Sequence, residues 1–347
     1  MRVKPLFIIF CISTVLFLSL SLWKTNFLNT KLDLKYLHDA SSNISLEVKF
    51  VVEPKCNPNF VIWIIASSAN NTLYRAALRR AYPVELLTRL NVTRIFLLGI
   101  PRENYTQKYI LEESRKYNDV LQGDFLESYR NLTSKHLMGL RWISNNCTAT
   151  FLIKSDDDIV VDMFEILNLL HENKIKEDAI SGYVLRSMRP IRTSNSKWFV
   201  TKEDFADVTY PDFLSGWIYI TGLKVARLLV RASEKFRHLF WIDDVFVTGI
   251  LRLISGTEYL ELNDLYATDY RYLECCMRDK KRKLKCEFIA GPDGAKKELH
   301  MKFREFSEYC RWNCFKRTTE QLVSKKCVVA YEERISVANS KAQVLHV

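Results

Sequence analysis

Three adjacent carboxylates, Asp156, Asp157 and Asp158, stand between the apolar runs Phe151-Leu152-Ile153 and Ile159-Val160-Val161. Anions at that density repel one another, and donors that are all oxygen favour a hard divalent ion such as Mg²⁺ or Mn²⁺. The same pattern also describes a solvated acidic turn or the first turn of a helix. A second pair, Asp243-Asp244, precedes Val245, Ile250, Leu251 and Ile254, whose spacing predicts a buried helix. These two aspartates could cap that helix or form a second carboxylate site opposite the first. Arg75 and Arg79 are four residues apart in a helix predicted over 71–82, so they share one face. Such a pair suits phosphate, which arginine binds bidentately; a solvated basic face is the alternative. Late in the chain comes His300, and a lone histidine is seldom a ligand.

The elements around these residues place them. Strands are predicted over 60–66, 94–99, 180–184 and 213–222, and a short one ends at Asp124-Phe125. Helices are predicted over 71–82 (stopped by Pro83), 105–117, 132–144 and 163–172. The runs flanking the triple aspartate are short, continuous and rich in Ile and Val, as in buried strands. Strand–helix alternation predicts an α/β fold with a central, mostly parallel sheet flanked by helices. The acidic cluster then lies at a strand end, where open α/β sheets bind ligands.

The chain has 347 residues, is 48% hydrophobic and carries a formal net charge of +11. That length and composition support a large core. The excess charge could serve nucleic acid, a membrane surface or a phosphorylated ligand. It is scattered apart from the dense run Asp279-Lys280-Lys281-Arg282-Lys283-Leu284-Lys285, and no nucleic-acid fold signature accompanies it. Arg2 and Lys4 precede an 18-residue apolar run over 6–23, close to the ~20 residues that span a bilayer. It is longer than a typical signal-peptide core and lacks a small-x-small cleavage site. The predicted organisation is therefore a cytoplasmic tail over 1–5, a signal-anchor over 6–23, a polar stem over 24–55 and a lumenal domain over 56–347. A short span suits an early-secretory or Golgi membrane. Sequons at Asn43, Asn70, Asn91, Asn104, Asn131 and Asn146 agree with a lumenal location. Eight cysteines lie outside the span, an even set that predicts disulfides of unspecified pairing. Cys310-x-x-x-Cys314 could instead be half a zinc site, but no partner pair has matching spacing. No feature fixes an oligomeric state.

Taken together, these segments resemble the β-1,3-glycosyltransferase family that includes β-1,3-galactosyltransferases and β-1,3-N-acetylglucosaminyltransferases. The residues carrying the resemblance run collinearly from about 71 to 300. They are Arg75–Tyr82, Phe96-Leu97-Leu98-Gly99, Asp124-Phe125 with Tyr129-Arg130-Asn131-Leu132-Thr133 and Lys135, Lys154-Ser155-Asp156-Asp157-Asp158, Lys197-Trp198-Phe199-Val200, Tyr210-Pro211 and Asp243-Asp244-Val245. Ser215-Gly216-Trp217-Ile218-Tyr219 departs from the family's Ser-Gly-x-Gly-Tyr. The added bulk there bears on sugar specificity.

The resemblance implies a GT-A type fold and inverting, metal-dependent transfer of a hexose, galactose first, from a UDP-sugar to a glycan hydroxyl in β-1,3 linkage. It implies Asp244 as base, kept weakly basic by its helix N-terminus, and a divalent cation such as Mn²⁺ on Asp156 and Asp158, with His300 as a late ligand. Arg75, Arg79, Lys135, Asp156 and Asp157 would hold the UDP-sugar. The acceptor would be a glycan on a glycoprotein or glycolipid at the Golgi membrane, with no nucleic-acid partner. UDP-GlcNAc or UDP-GalNAc as donor, or an inactive lumenal chaperone or lectin-like relative, are the alternatives.

Overall fold

Every residue of the strand Val61–Ala66 (β2) except its last is fully buried. Its side chains alternate between two cores: Ile62 and Ile64 enter one, Val61, Trp63 and Ile65 the other. A strand buried on both faces belongs in the middle of a helix-covered sheet. The structure, a computed structural model, describes residues 48–327. Among the described residues no helix is long and apolar enough to cross a membrane. The predicted tail, the anchor over 6–23, the stem up to residue 47 and the Asn43 sequon lie outside them.

The main sheet has eight strands: β1 (Phe50–Val52), β2, β3 (Val92–Ile100), β4 (Val120–Leu126), β5 (Phe151–Asp156), β7 (Ala179–Leu185), β8 (Phe213–Gly222) and β9 (Glu258–Glu261). Their spatial order is β1-β4-β3-β2-β5-β8-β7-β9. β4, β3, β2 and β5 run parallel, whereas β8 lies antiparallel to both β5 and β7. The predicted alternation thus holds for the first half, and the sheet turns mixed beyond β5. β1 pairs with β4 within the stretch predicted as stem. The folded unit therefore begins earlier than residue 56, because three residues suffice to cover a sheet edge.

Helices α1 (Thr72–Ala81), α2 (Val84–Arg89), α3 (Asn104–Tyr117), α4 (Leu132–Asn146), α5 (Met163–His171) and α6 (Leu223–Ser233) flank the sheet. A second, two-stranded sheet pairs β6 (Ile159–Val161) with β10 (Ala290–Pro292), antiparallel. A third core, holding Leu273, Phe303 and Phe306, fills the space under α8 (Tyr270–Arg278) and α9 (Glu298–Asn313). α7 (Arg252–Ser255) follows a π-helical turn over Val245–Leu251.

All eight cysteines among the described residues are paired: Cys56–Cys147, Cys275–Cys327, Cys276–Cys286 and Cys310–Cys314. The zinc alternative for Cys310 and Cys314 is thereby replaced by a disulfide between them.

Candidate active site

β5 delivers Asp156 at its last position, and a tight turn carries Asp157 and Asp158 into β6. The three carboxylates meet different surroundings. Asp157 is buried and accepts hydrogen bonds from Ser67 Oγ (2.6 Å) and Asn71 Nδ2 (2.9 Å). Burial raises its pKa and these two donors oppose the rise. It fastens the loop between β2 and α1, a structural task. Asp156 accepts from Lys154 Nζ (2.8 Å) and keeps 39% of its side-chain surface open. Burial also lifts Asp156, with Lys154 opposing. Asp158 is half-buried.

Asp158 faces a partner that sequence reasoning missed. β10 runs antiparallel to β6, with Pro292 opposite Ile159. The next residue, Asp293, donates its N–H to the Asp158 carbonyl (2.9 Å). Asp293 is 1% exposed; the Tyr74 side chain approaches its carboxylate, but Oδ2 is left without a well-formed hydrogen bond. His300, in the first turn of α9, is equally buried, and its Nε2 is also unpartnered, 3.8 Å from that oxygen. His300 therefore faces Asp293, not one of the three central carboxylates. Two orphaned buried polar atoms beside Asp158 are costly unless something else satisfies them, so these residues fit a cation. Among the described residues no three His, Cys, Asp or Glu side chains already form a cage. The missed signal was a carboxylate directly after a strand, in Pro292-Asp293-Gly294, as Asp157 is after β5.

The second carboxylate pair sits at the start of the π-helical turn. Asp244 caps it, accepting from the Val245 N–H (2.8 Å). Asp243 Oδ2 lies 3.0 Å from His136 Nδ1 and 3.9 Å from Lys154 Nζ. His136 Nε2 lies 2.7 Å from the Tyr219 hydroxyl. An ionised Asp243 only accepts, so Nδ1 carries the proton and Nε2 accepts from Tyr219. Burial pushes His136 down, with Asp243 opposing, so the imidazole is neutral. Lys154 Nζ also donates to the Gly216 carbonyl (2.6 Å). One buried ammonium thus ties Asp156 to Asp243. A Cβ on Gly216 would stand 3.7 Å from both Asp244 Oδ2 and Lys154 Nζ, so glycine keeps this spot open.

The two aspartates titrate far apart. Burial would raise Asp243, but Lys154 and the His136 hydrogen bond outweigh it and hold the carboxyl at about 2. Burial and the adjacent Asp243 anion lift Asp244 to about 7. The expectation that a helix N-terminus keeps Asp244 acidic is corrected: the Val245 N–H does lower it, but burial and, after it, the neighbouring Asp243 anion act more strongly. A carboxylate poised near neutrality, beside one held ionised, has the pattern of an acid–base pair.

The basic residues expected to hold a diphosphate are spent elsewhere. Arg75 is fully buried; its Nε and Nη2 donate to Glu113 (2.8 and 2.7 Å), and Nη1 donates to the Ser68 carbonyl (2.7 Å). Arg79 pairs with Glu113 (2.5 Å) and Asp119 (2.6 Å). The two do share a helix face, but it packs on α3 and the sheet. Burial would raise Glu113, yet the two guanidiniums hold it below its ordinary value. Lys135 is likewise buried, donating to the Ser67 carbonyl (2.7 Å) and Glu127 (2.6 Å). Arg75 and Lys135 brace the loop after β2 from behind, and Arg79 shares Glu113 with Arg75. The bulk at Ile218 also turns away from the cleft: that side chain is fully buried in the core containing Trp63.

Of the described sequons, Asn70, Asn91, Asn104 and Asn146 are exposed. The Asn131 amide instead donates to the Leu126 carbonyl (2.8 Å).

Comparison with known proteins gives the family. The Galactosyltransferase family pattern matches residues 74–261, which include both aspartate groups and Lys154. Human β-1,3-galactosyltransferase 2 is 34% identical over 213 residues, 58% of this chain and 50% of that protein. Mouse β-1,3-galactosyltransferase 1 is 33% identical over 207 residues, 58% of this chain and 63% of that protein. The match thus spans between half and two thirds of the length of these relatives. Mouse xyloside xylosyltransferase 1, a solved structure, covers 70% of this chain and 99% of its own at 10% identity and a TM-score of 0.29, too low to carry an argument. The chain belongs to the Galactosyltransferase family.

Proposed function

We propose that the protein transfers a hexose, galactose first, from a UDP-sugar to a glycan hydroxyl in β-1,3 linkage with inversion, Asp244 acting as base. The observation that carries this reading is the Lys154 bridge. It donates to Asp156 at the end of β5 and stands 3.9 Å from Asp243, next to the proposed base. Donor-side carboxylates and base thereby share one cleft edge.

Asp158 and Asp293, with His300 behind Asp293, would hold a divalent cation such as Mn²⁺. Bound there, it supplies charge neutralisation for the leaving diphosphate. The remaining work falls to the chain's own side chains. Asp244 accepts the proton of the acceptor hydroxyl as that oxygen attacks the anomeric carbon. Inversion requires this base on the face opposite the leaving group. Asp243, held ionised by Lys154 and His136, keeps that proton on Asp244. Asp156 and the loop fastened by Asp157, Arg75 and Lys135 shape the nucleotide side.

We place the domain in the Golgi lumen behind the predicted anchor as a type II membrane protein. Four disulfides and four exposed sequons support an oxidising, glycosylating compartment.

The test is UDP release across a panel of UDP-sugars with Mn²⁺ and simple glycan acceptors. Release with UDP-galactose supports the reading. Release with UDP-GlcNAc or UDP-GalNAc alone would reassign the donor, and an inert protein would overturn the enzymatic reading in favour of a lumenal binding role.

A further inference from the structure

Arg75, Arg79 and Lys135 are spent on Glu113, Asp119 and Glu127, so a diphosphate in this cleft needs a cation from another part of the chain. The connection from β7 to β8, residues 186–212, supplies one. Its ends are held together, because Leu185 pairs with Phe213 across the ladder. Arg192 braces its inside: Nη1 donates to the Val200 carbonyl (2.9 Å) and Nη2 to the Phe205 carbonyl (2.6 Å). The Val200 N–H returns to the Ile191 carbonyl (2.9 Å). Long connections held in shape this way are where binding residues concentrate.

Lys197 lies in the turn between the bridged residues Ile191 and Phe199. Its ammonium stands 4.4 Å from the centroid of the Trp198 ring and 5.3 Å from that of Tyr129. The Trp198 indole approaches the Tyr129 hydroxyl, so the two rings form one support. Tyr129 also lies in the field of Asp244, then Asp243, then Asp156, which places the support beside the proposed base. Lys197 is exposed. Partial desolvation lowers its pKa, and Asp158 and then Asp156 oppose that lowering. Both acids act on it through space, without the hydrogen bond that ties Lys154 to Asp156. The ammonium therefore faces the donor-side carboxylates and is not consumed by them. Ring faces hold a cation in place without neutralising it, which leaves its charge for an arriving anion.

We propose that Lys197 is the cation that holds the diphosphate in this cleft: its ammonium, resting on Tyr129 and Trp198, donates to the leaving group beside Asp158. The proposal rests on the UDP-sugar reading and deepens it. The acceptor oxygen bonds to the anomeric carbon and gives its proton to Asp244. The bond from that carbon to the diphosphate oxygen breaks, and its electron pair stays on the oxygen. A positioned ammonium stabilises that charge without giving up a proton. Lysine suits the task as a compact charge on a long stem.

The full chain in detergent is titrated calorimetrically with UDP and with UMP at saturating Mn²⁺. Lys197→Gln should lose about tenfold in UDP affinity, the scale of one hydrogen bond from a charged group, with UMP affinity unchanged. Lys197→Arg should recover most of that loss, since it restores the charge. Mn²⁺ alone, followed by water-proton relaxation, should bind Lys197→Gln at least as tightly as wild type, because a repelling charge has gone. Equal UDP affinity in wild type and Lys197→Gln overturns the proposal and leaves the donor reading standing. A parallel loss of UDP and UMP overturns it too, since Lys197 would then only support the loop. So does a loss confined to Lys297→Gln, whose ammonium lies 4.6 Å from the Tyr74 ring centroid. A wild-type protein that binds no UDP removes the donor reading itself, and the role of Lys197 with it.

Discussion

Two charged regions flank the loop after β2, and they use the same residue types in opposite balance. Behind it, Arg75, Arg79 and Arg94 meet Glu113 and Asp119 in a closed chain of ion pairs. In front of it, Asp156, Asp243 and Asp244 gather near the buried ammonium of Lys154, and Asp157, Asp158 and Asp293 follow along the turn into β6 and β10. The first network pairs both of its carboxylates with guanidiniums and holds shape, while a surplus of carboxylates shifts proton affinities and calls for a cation from outside. Side-chain type alone does not separate the two; the partner does.

The comparison is most directly broken at Asp244. Asp244→Asn should lower turnover by about a thousandfold, the range expected for a general base, with UDP affinity by calorimetry unchanged. Near-normal turnover would remove the base assignment. On the closed side, Arg75→Ala leaves Glu113 buried without its bidentate partner. It should cost about 3–5 kcal/mol in denaturant unfolding, and the folded fraction should bind UDP only several-fold more weakly, because Arg75 holds the loop after β2 and does not touch the ligand. A loss of UDP affinity without a loss of stability would return Arg75 to the ligand site. Smaller still, Asp293→Asn and Asp158→Asn should each weaken Mn²⁺-dependent UDP binding by roughly 10–100-fold, with His300→Ala nearer the lower end because it acts through Asp293. A larger effect from His300→Ala than from Asp293→Asn would make the imidazole the direct ligand.

The sequence made the first half of the sheet legible because β2, β3 and β5 are continuous apolar runs between helices that end at recognisable stops such as Pro83. The mixed half was not, since β8 running antiparallel to β5 depends on tertiary pairing and not on local pattern. The acidic groups were visible by type and spacing. Their roles were not: whether Arg75 faces a phosphate or Glu113 depends on a residue 38 positions away. Similarly, Asp293 gains meaning only from the β6–β10 ladder, and the proton affinity of Asp244 only from Asp243 being held ionised by His136 and Lys154.

That last dependence is the central claim, and a pH profile tests it. Activity requires ionised Asp244, so UDP release by the wild-type protein with saturating donor and Mn²⁺ should fall tenfold per pH unit below about 7. Asp243→Asn removes the neighbouring anion that raises Asp244, so the same limb should move to lower pH by about one unit or more. A limb that stays in place in Asp243→Asn, or a wild-type profile flat through neutrality, would contradict the account.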